Sequence, residues 1–254
     1  MFQDIEYTIV TNFSDDFVEF TKGVSFLSKE PNSDKTLMYQ NIVENGRRKQ
    51  IAQNYDRTHF ADPIEKIQEE VRESDLIIFA PLSPYYQIDH IKDILSVKSN
   101  TAKSLLLPQG YLRKFDSNGN VLERELEEVD LLFPLFDFGI LSDEDLEDLS
   151  LIPEWTKKHK IGLIVTRGKD GADVYYGADL FDNGVKYNVS TTPVENIKDS
   201  TGSGEIFSAS FAYMYVKTRD TGKSIAFGNK VAGRCLLYSP RELENMNLDK
   251  LFRN

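Results

Sequence analysis

An α/β fold with a mainly parallel central sheet, helices on both faces and a small β lid follows from three features of this 254-residue sequence. Short apolar runs alternate with helix-like stretches through the middle of the chain, which is the grammar of βαβ units. Three β-like runs stand together near the start with no helix between them. A glycine-rich turn late in the chain opens directly onto an uncharged stretch. The length suits one sizeable core, so residues 1–254 are read as a single domain, with a lid formed by about residues 23–53.

Taken in order, Ile5 to Thr11 is rich in β-formers and reads as a strand. Gly23–Ser28, Thr36–Val43 and Arg48–Gln53 read as three short strands, separated by the turn formers Pro31-Asn32-Ser33-Asp34 and Asn45-Gly46. After Asp62-Pro63 a helix runs to Glu73, and Asp75–Ala80 follows as a buried parallel strand. Ile88–Leu95 reads as a helix, Ser104–Leu107 and Asp130–Phe136 as strands, and Asp143–Lys157 as a helix. Ile161–Thr166 is the clearest strand. Ala172–Tyr176 and Lys186–Ser190 read as two strands that pair directly. Helices over about Gly204–Val216, Gly222–Tyr238 and Arg241–Phe252 end the chain.

Composition removes several function classes. The net charge of −11 and an isoelectric point near 4.9 leave no basic stripe for nucleic acid. The densest cationic run, Arg47-Arg48-Lys49, is a solvated strand or turn. The single cysteine, Cys235, sits among apolar residues, which excludes a disulfide framework and suits a small buried hydrophobe in a reducing compartment. No apolar run reaches membrane-spanning length, and Met1–Glu6 is too polar for a signal peptide. A cytoplasmic protein with a small-molecule partner, and neither membrane nor nucleic acid, is expected. His59, His90 and His159 lack metal-ligand spacing. The acidic runs Glu123–Asp130 and Asp143–Asp148 read as solvated faces.

The chemistry is concentrated in Asp199-Ser200-Thr201-Gly202-Ser203-Gly204-Glu205, which precedes the uncharged Ile206–Val216. A helix that is apolar nearly all round belongs in a core. Glycines at its start let a ligand approach the main chain, and free N–H groups with the helix dipole favour an anion there, above all a phosphate. Glu205 in the first turn is placed to take a proton from an attacking hydroxyl. From spacing alone, the same residues also read as an ordinary N-cap with Glu205 as a dipole partner.

This turn resembles the Asp-Thr-x-Gly-Ala-Gly-Asp signature of the PfkB, or ribokinase-like, carbohydrate kinases, through Asp199, Gly202 and Gly204, with Ser200 for the threonine and Ser203 for the alanine. Val165-Thr166-Arg167-Gly168-Lys169-Asp170-Gly171-Ala172 is similar to that family's strand-and-turn at ATP, and Ala226–Ala232 to its helix over the adenine. Gln109-Gly110-Tyr111-Leu112-Arg113 resembles a branch that includes plant inositol kinases. The resemblance implies a ribokinase-like fold and an ATP-dependent kinase acting with Mg2+ on a sugar or polyol hydroxyl. It makes Gly202, Ser203 and Gly204 the anion hole and Glu205 the base. Thr166, Gly168, Gly171 and Asn229 become nucleotide contacts, and Asp199 lies near a site for a monovalent cation such as K+. Gln109 and Arg113, following a buried strand, are candidate substrate contacts. Apart from the resemblance, a protein-interaction role in which the exposed β lid forms a homodimer is a further reading.

Three departures from the family pattern bear on activity. Glu205 replaces the aspartate base, and its extra methylene moves the carboxylate by about 1 Å, enough to cost ~10²-fold in rate without compensation. The Asn-x-x-Glu element that organises magnesium is spelled Ser142-Asp143-Glu144-Asp145. Asp145 is the candidate metal contact with Asp199, although Ser142 reads equally as a helix N-cap. The sequence before Ile5 is too short for the family's acidic sugar contact, and no Gly-Gly hinge occurs. A second reading follows from these departures: a nucleotide-binding or scaffold protein, derived from such a kinase, that no longer catalyses.

Overall fold

Four- and five-residue apolar runs become the strands of the computed structural model, which describes residues 2, 4–44, 47–55, 64–176, 186–243 and 246–252. The Asn45-Gly46 turn, His59 and the Asp62-Pro63 break lie outside the described residues. The chain divides into two compact units, Tyr7–Phe136 and Met1–Glu6 with Asp137–Asn254.

In the Tyr7–Phe136 unit, β1 (Met38–Glu44) and β2 (Arg47–Gln53) form the expected antiparallel lid hairpin, with Met38 opposite Gln53. Helix α1 (Ile64–Glu73) buries Ile67 and Val71, one turn apart, and leads to β3 (Leu76–Phe79). Helix α2 (Ile88–Ser96) buries Ile91 and Ile94 and leads to β4 (Lys103–Leu106). Strands β3 and β4 are parallel, Leu76 opposite Lys103 through Phe79 opposite Leu106, with Leu105 and Leu106 fully buried. A second hairpin joins β5 (Arg113–Phe115) to β6 (Val121–Glu123). The lid is tied to it by Ala52 N–H donating to Gly119 O at 2.7 Å.

Three expected strands do not form. Along Ile5–Thr11 and Gly23–Ser28 the only pairing among the described residues is a single bridge between Ile9 and Phe26. Tyr7 and Ile9 are exposed, and β-forming residues without a neighbouring ladder do not make a strand. Asp130–Phe136 instead contains helix α3 (Val129–Leu132) and a 3-10 turn over Phe133–Leu135. The buried residues there are Val129, Leu132, Phe133 and Phe136. Their i, i+3, i+4, i+7 spacing is helical, and Pro134 cannot donate to a ladder.

In the second unit, the strand sought at 130–136 begins at β7 (Phe138–Ser142). The expected helix over Asp143–Lys157 is broken into 3-10 turns at Asp143–Asp145 and Leu149–Leu151, then α4 (Ile152–His159). Ser142 and Asp148 side chains accept from the backbone N–H of Glu144 and Ser150, restarting the helix each time. β8 (Gly162–Thr166) lies parallel to β7. β9 (Ala172–Tyr175) and β10 (Lys186–Val189) then add antiparallel, as the direct β9–β10 pairing predicted.

Helix α5 (Ser203–Thr218) is the buried late helix, and it packs on α6 (Thr221–Cys235). Phe138 of β7 meets Phe211 and Tyr215 of α5 edge-on, with ring centroids 5.9 and 5.0 Å apart. The last expected helix is two short ones, α7 (Pro240–Leu243) and α8 (Leu248–Phe252). Asn247 caps the second by accepting from Lys250 N–H at 2.9 Å.

Candidate active site

The glycine turn is built by its own side chains. Asp199 Oδ1 accepts from Thr201 N–H at 2.8 Å, which bends the chain, and Ser203 N–H donates to Ser200 O at 3.2 Å. Gly202 then takes a left-handed conformation, φ +79°, where a side chain is strained. It is the N-cap of α5, so no side chain caps the helix. Ile206 N–H reaches back to Gly202 O at 2.9 Å. The amides of Gly204 and Glu205 belong to the first turn, whose donors have no carbonyl inside the helix. A Cβ placed on Gly202 or Gly204 would meet nothing within 4 Å. Open space over unsatisfied donors at the positive end of a 16-residue helix suits an anion.

Glu205 is exposed in that first turn, and among the described residues no donor engages its carboxylate. A cavity of about 400 Å³ lies against the same turn. Asp199, Thr201, Gly202, Ser203 and Glu205 form its polar wall, and Ile206, Ala232, Cys235, Leu236, Pro240 and Leu243 line the rest with Tyr238. Burial pushes the Cys235 thiol up to about 11, so it is an inert apolar wall rather than a nucleophile.

The strand-and-turn after β8 is also formed, and its groups are largely committed within the protein. Thr166 Oγ1 donates to Leu141 O at 3.2 Å. Arg167 N–H closes the turn on Gly171 O at 2.8 Å, with Gly168 and Gly171 both at positive φ. A Cβ on Gly171 would lie 2.2 Å from Val189 O, so only glycine permits this approach of turn and strand. Asn229 of α6, nearly buried, donates to that same Val189 O at 2.8 Å and more loosely to Ser190 O at 3.5 Å. Gly171 and Asn229 thus converge on one stretch of backbone. Gly168 alone of the four faces open space.

The remaining candidates fall elsewhere. Asp145 Oδ2 accepts from Ser142 N–H at 2.8 Å, completing a capping box, as the N-cap reading of Ser142 anticipated. Arg167 bridges this segment to β9, pairing with Asp173 at 3.1 Å and standing 3.7 Å from Asp143. Among the described residues no cluster of three or more His, Cys, Asp or Glu side chains is placed to hold a metal ion. Magnesium bound mainly through phosphates and waters needs only one or two carboxylates.

In the Tyr7–Phe136 unit, Gln109 and Arg113 flank the loop after β4. Gly110 sits so close to the loop after β3 that a Cβ would lie 2.3 Å from Pro81 O. Arg113 stacks its guanidinium over Tyr39 of the lid, 4.7 Å from the ring centroid, and donates to Leu82 O at 3.4 Å. Gln109 is half-buried, and its amide has no partner among the described residues.

Sequence reading missed Lys198 and Glu242, whose ion pair joins the lead-in of the glycine turn to α7. The signal was present: Ser239-Pro240-Arg241-Glu242 spells a capping box with proline at the first helical position.

A parallel β7–β8 pair, a glycine turn and a buried helix with no side-chain cap define an α/β protein whose candidate anion site is the start of α5. The chain belongs to the PfkB family of carbohydrate kinases: the model described as pfkB family carbohydrate kinase matches residues 23–239. No curated protein matches the sequence. Solved structures share the ribokinase-like fold at low identity. A pyrophosphate-dependent kinase of the ribokinase family, complexed with a pyrophosphate analogue and myo-inositol, is 16% identical with a TM-score of 0.71, covering 96% of this chain and 86% of that one. Ribokinase from Giardia lamblia is 11% identical with a TM-score of 0.73, covering 96% and 80%. Arabidopsis thaliana ribokinase, complexed with ribose and ATP, is 14% identical with a TM-score of 0.69, again covering 96% and 80%.

Proposed function

We propose that this protein is an ATP-dependent kinase that phosphorylates a hydroxyl of a sugar, polyol or similar small molecule. The observation that carries the reading is the start of α5, which has no side-chain cap and where a Cβ on Gly202 or Gly204 would meet no atom within 4 Å, beside a carboxylate that no donor among the described residues engages. ATP supplies the transferable phosphoryl group. Gly202, Ser203 and Gly204 steady its terminal phosphate through the backbone, and Glu205 accepts the proton of the attacking hydroxyl. Catalysis of this kind is positioning and charge stabilisation in the main. Mg2+ on the donor phosphates, with Asp199 and Asp145 as nearby oxygens, and a monovalent cation such as K+ near Asp199 belong to the same reading. So do Gln109 and Arg113 as acceptor contacts, a single ribokinase-like domain spanning both units, a homodimer through the β1–β2 lid, and a cytoplasmic setting.

The donor itself merits a direct comparison. Thr166 and Asn229, two of the expected nucleotide contacts, already bond within the protein, and Gly171 is closed against Val189. The glycine turn needs only a terminal phosphate, so pyrophosphate, the donor of one structural relative, is the second donor to assay. The non-catalytic reading is tested alongside: binding of either donor without turnover on sugars, polyols and nucleosides would favour it.

Glu205→Gln is the decisive variant. It is expected to bind Mg-ATP as the wild type does by calorimetry, while phosphoryl transfer falls by ~10²-fold or more, the range of a lost general base. Unchanged turnover would refute the assignment.

A further inference from the structure

The chain entering the glycine turn is fastened at two points. Lys198 donates its backbone N–H to Leu236 O at 2.8 Å. Its ammonium reaches both oxygens of Glu242, at 2.8 and 2.9 Å. Glu242 Oε2 also accepts from Ser239 N–H at 2.7 Å and from Ser239 Oγ at 2.8 Å, while Glu242 N–H returns to Ser239 O at 3.0 Å. The carboxylate therefore does two jobs, capping α7 and holding Lys198. Pro240 and Leu243 of α7 line the same cavity as Asp199, Thr201, Gly202, Ser203 and Glu205. One bidentate pair thus clips the glycine turn to the opposite wall of its cavity.

We infer that Lys198 and Glu242 are positioning residues: their pair holds the glycine turn in the conformation that presents the Gly204 and Glu205 amides. The link to phosphate binding rests on the proposed kinase reading; the mechanical claim does not. Both side chains are about half exposed, 55% and 45%. An ion pair so placed adds little to global stability. It matters locally, because displacing a phosphate-binding donor by about 1 Å can cost ~10²-fold. With the pair cut, the bonds left to the lead-in include the Lys198 backbone bond and a long 3.5 Å contact from Asp199 N–H to Leu236 O.

The test uses the full chain and variants that keep the α7 cap. Glu242→Gln retains an acceptor for Ser239 and loses the charge; Lys198→Gln cuts the pair from the other end; Lys198→Arg preserves it. Amide hydrogen exchange of free protein over residues 199–206 is expected to accelerate in both glutamine variants and in their double variant. It is expected to stay at the wild-type rate in Lys198→Arg, and peptides over 207–216 of α5 should not change in any of them. Calorimetry with Mg-ATP and with pyrophosphate should show the dissociation constant raised on the order of tenfold in each single variant, with no further loss in the double, as for one shared interaction. Unchanged exchange at 199–206, or losses that simply add in the double variant, would overturn the inference. A wild type that binds neither donor sinks the kinase reading instead, and the exchange rates still decide the clip.

Discussion

Glu205 and Glu242 are both exposed acids near the start of a helix, and their surroundings give them different work. Glu205 has no donor among the described residues and is free to accept a proton. Glu242 is surrounded by donors, and the Lys198 ammonium, with Ser239 behind it, holds its carboxyl down to about 2 from an ordinary 4.5. A carboxylate depressed in the folded state stabilises that state above its unfolded pKa and loses the effect as pH falls through the folded one. The Glu242 contribution is therefore complete above about 4.5 and disappears as pH drops towards about 2. The melting midpoint of the wild type should exceed that of Glu242→Gln at pH 6 by a margin that narrows steadily below about pH 4. A margin that widens on acidification would mean the pair is not formed as described.

At the scale of elements, the α5–α6 contact decides whether the glycine turn has a rigid base. A Cβ on Gly228 of α6 would stand 2.9 Å from two ring carbons of Phe207, which is buried in α5. Gly228→Val is thus expected to cost about 1–3 kcal/mol by overpacking, read as a lower denaturation midpoint in urea at unchanged slope. A midpoint equal to wild type would show that the helices are not packed this tightly. The same elements explain what the sequence could and could not reveal. Ile161–Thr166 and the Ile206–Val216 helix were legible because a largely buried element carries mostly apolar and no charged residues along its length. Asp130–Phe136 was misread because apolar density was taken without its period; Val129, Leu132, Phe133 and Phe136 sit three and four apart. Ile5–Thr11 has the composition of a strand, but a strand exists only where a partner lies beside it, and partners far along the chain leave no local mark. Asn229 was singled out by motif, yet its bond to Val189 O depends on tertiary placement alone.

For the molecule as a whole, binding a polyanion must overcome a net charge of −11. On the proposed kinase reading, long-range repulsion of that sign would be offset by local donors at the start of α5 and by magnesium on the donor phosphates. Thermal unfolding reads this balance directly, because a ligand that binds only the folded chain stabilises it by mass action. At a hundredfold its dissociation constant, Mg-ATP should add about 2.7 kcal/mol, raising the midpoint by about 5–10 °C for a chain of this size. Gly204→Val separates the phosphate site from the fold. Its side chain enters space where no atom lies within 4 Å, so the free protein should melt as the wild type does. The same side chain covers the amides, so the ligand-induced rise should be lost. Glu205→Gln should keep the rise in full, since a base is not needed to bind. Equal shifts in wild type and Gly204→Val would place the donor away from this turn, and the anion site built from Gly202 to Glu205 would have to be abandoned.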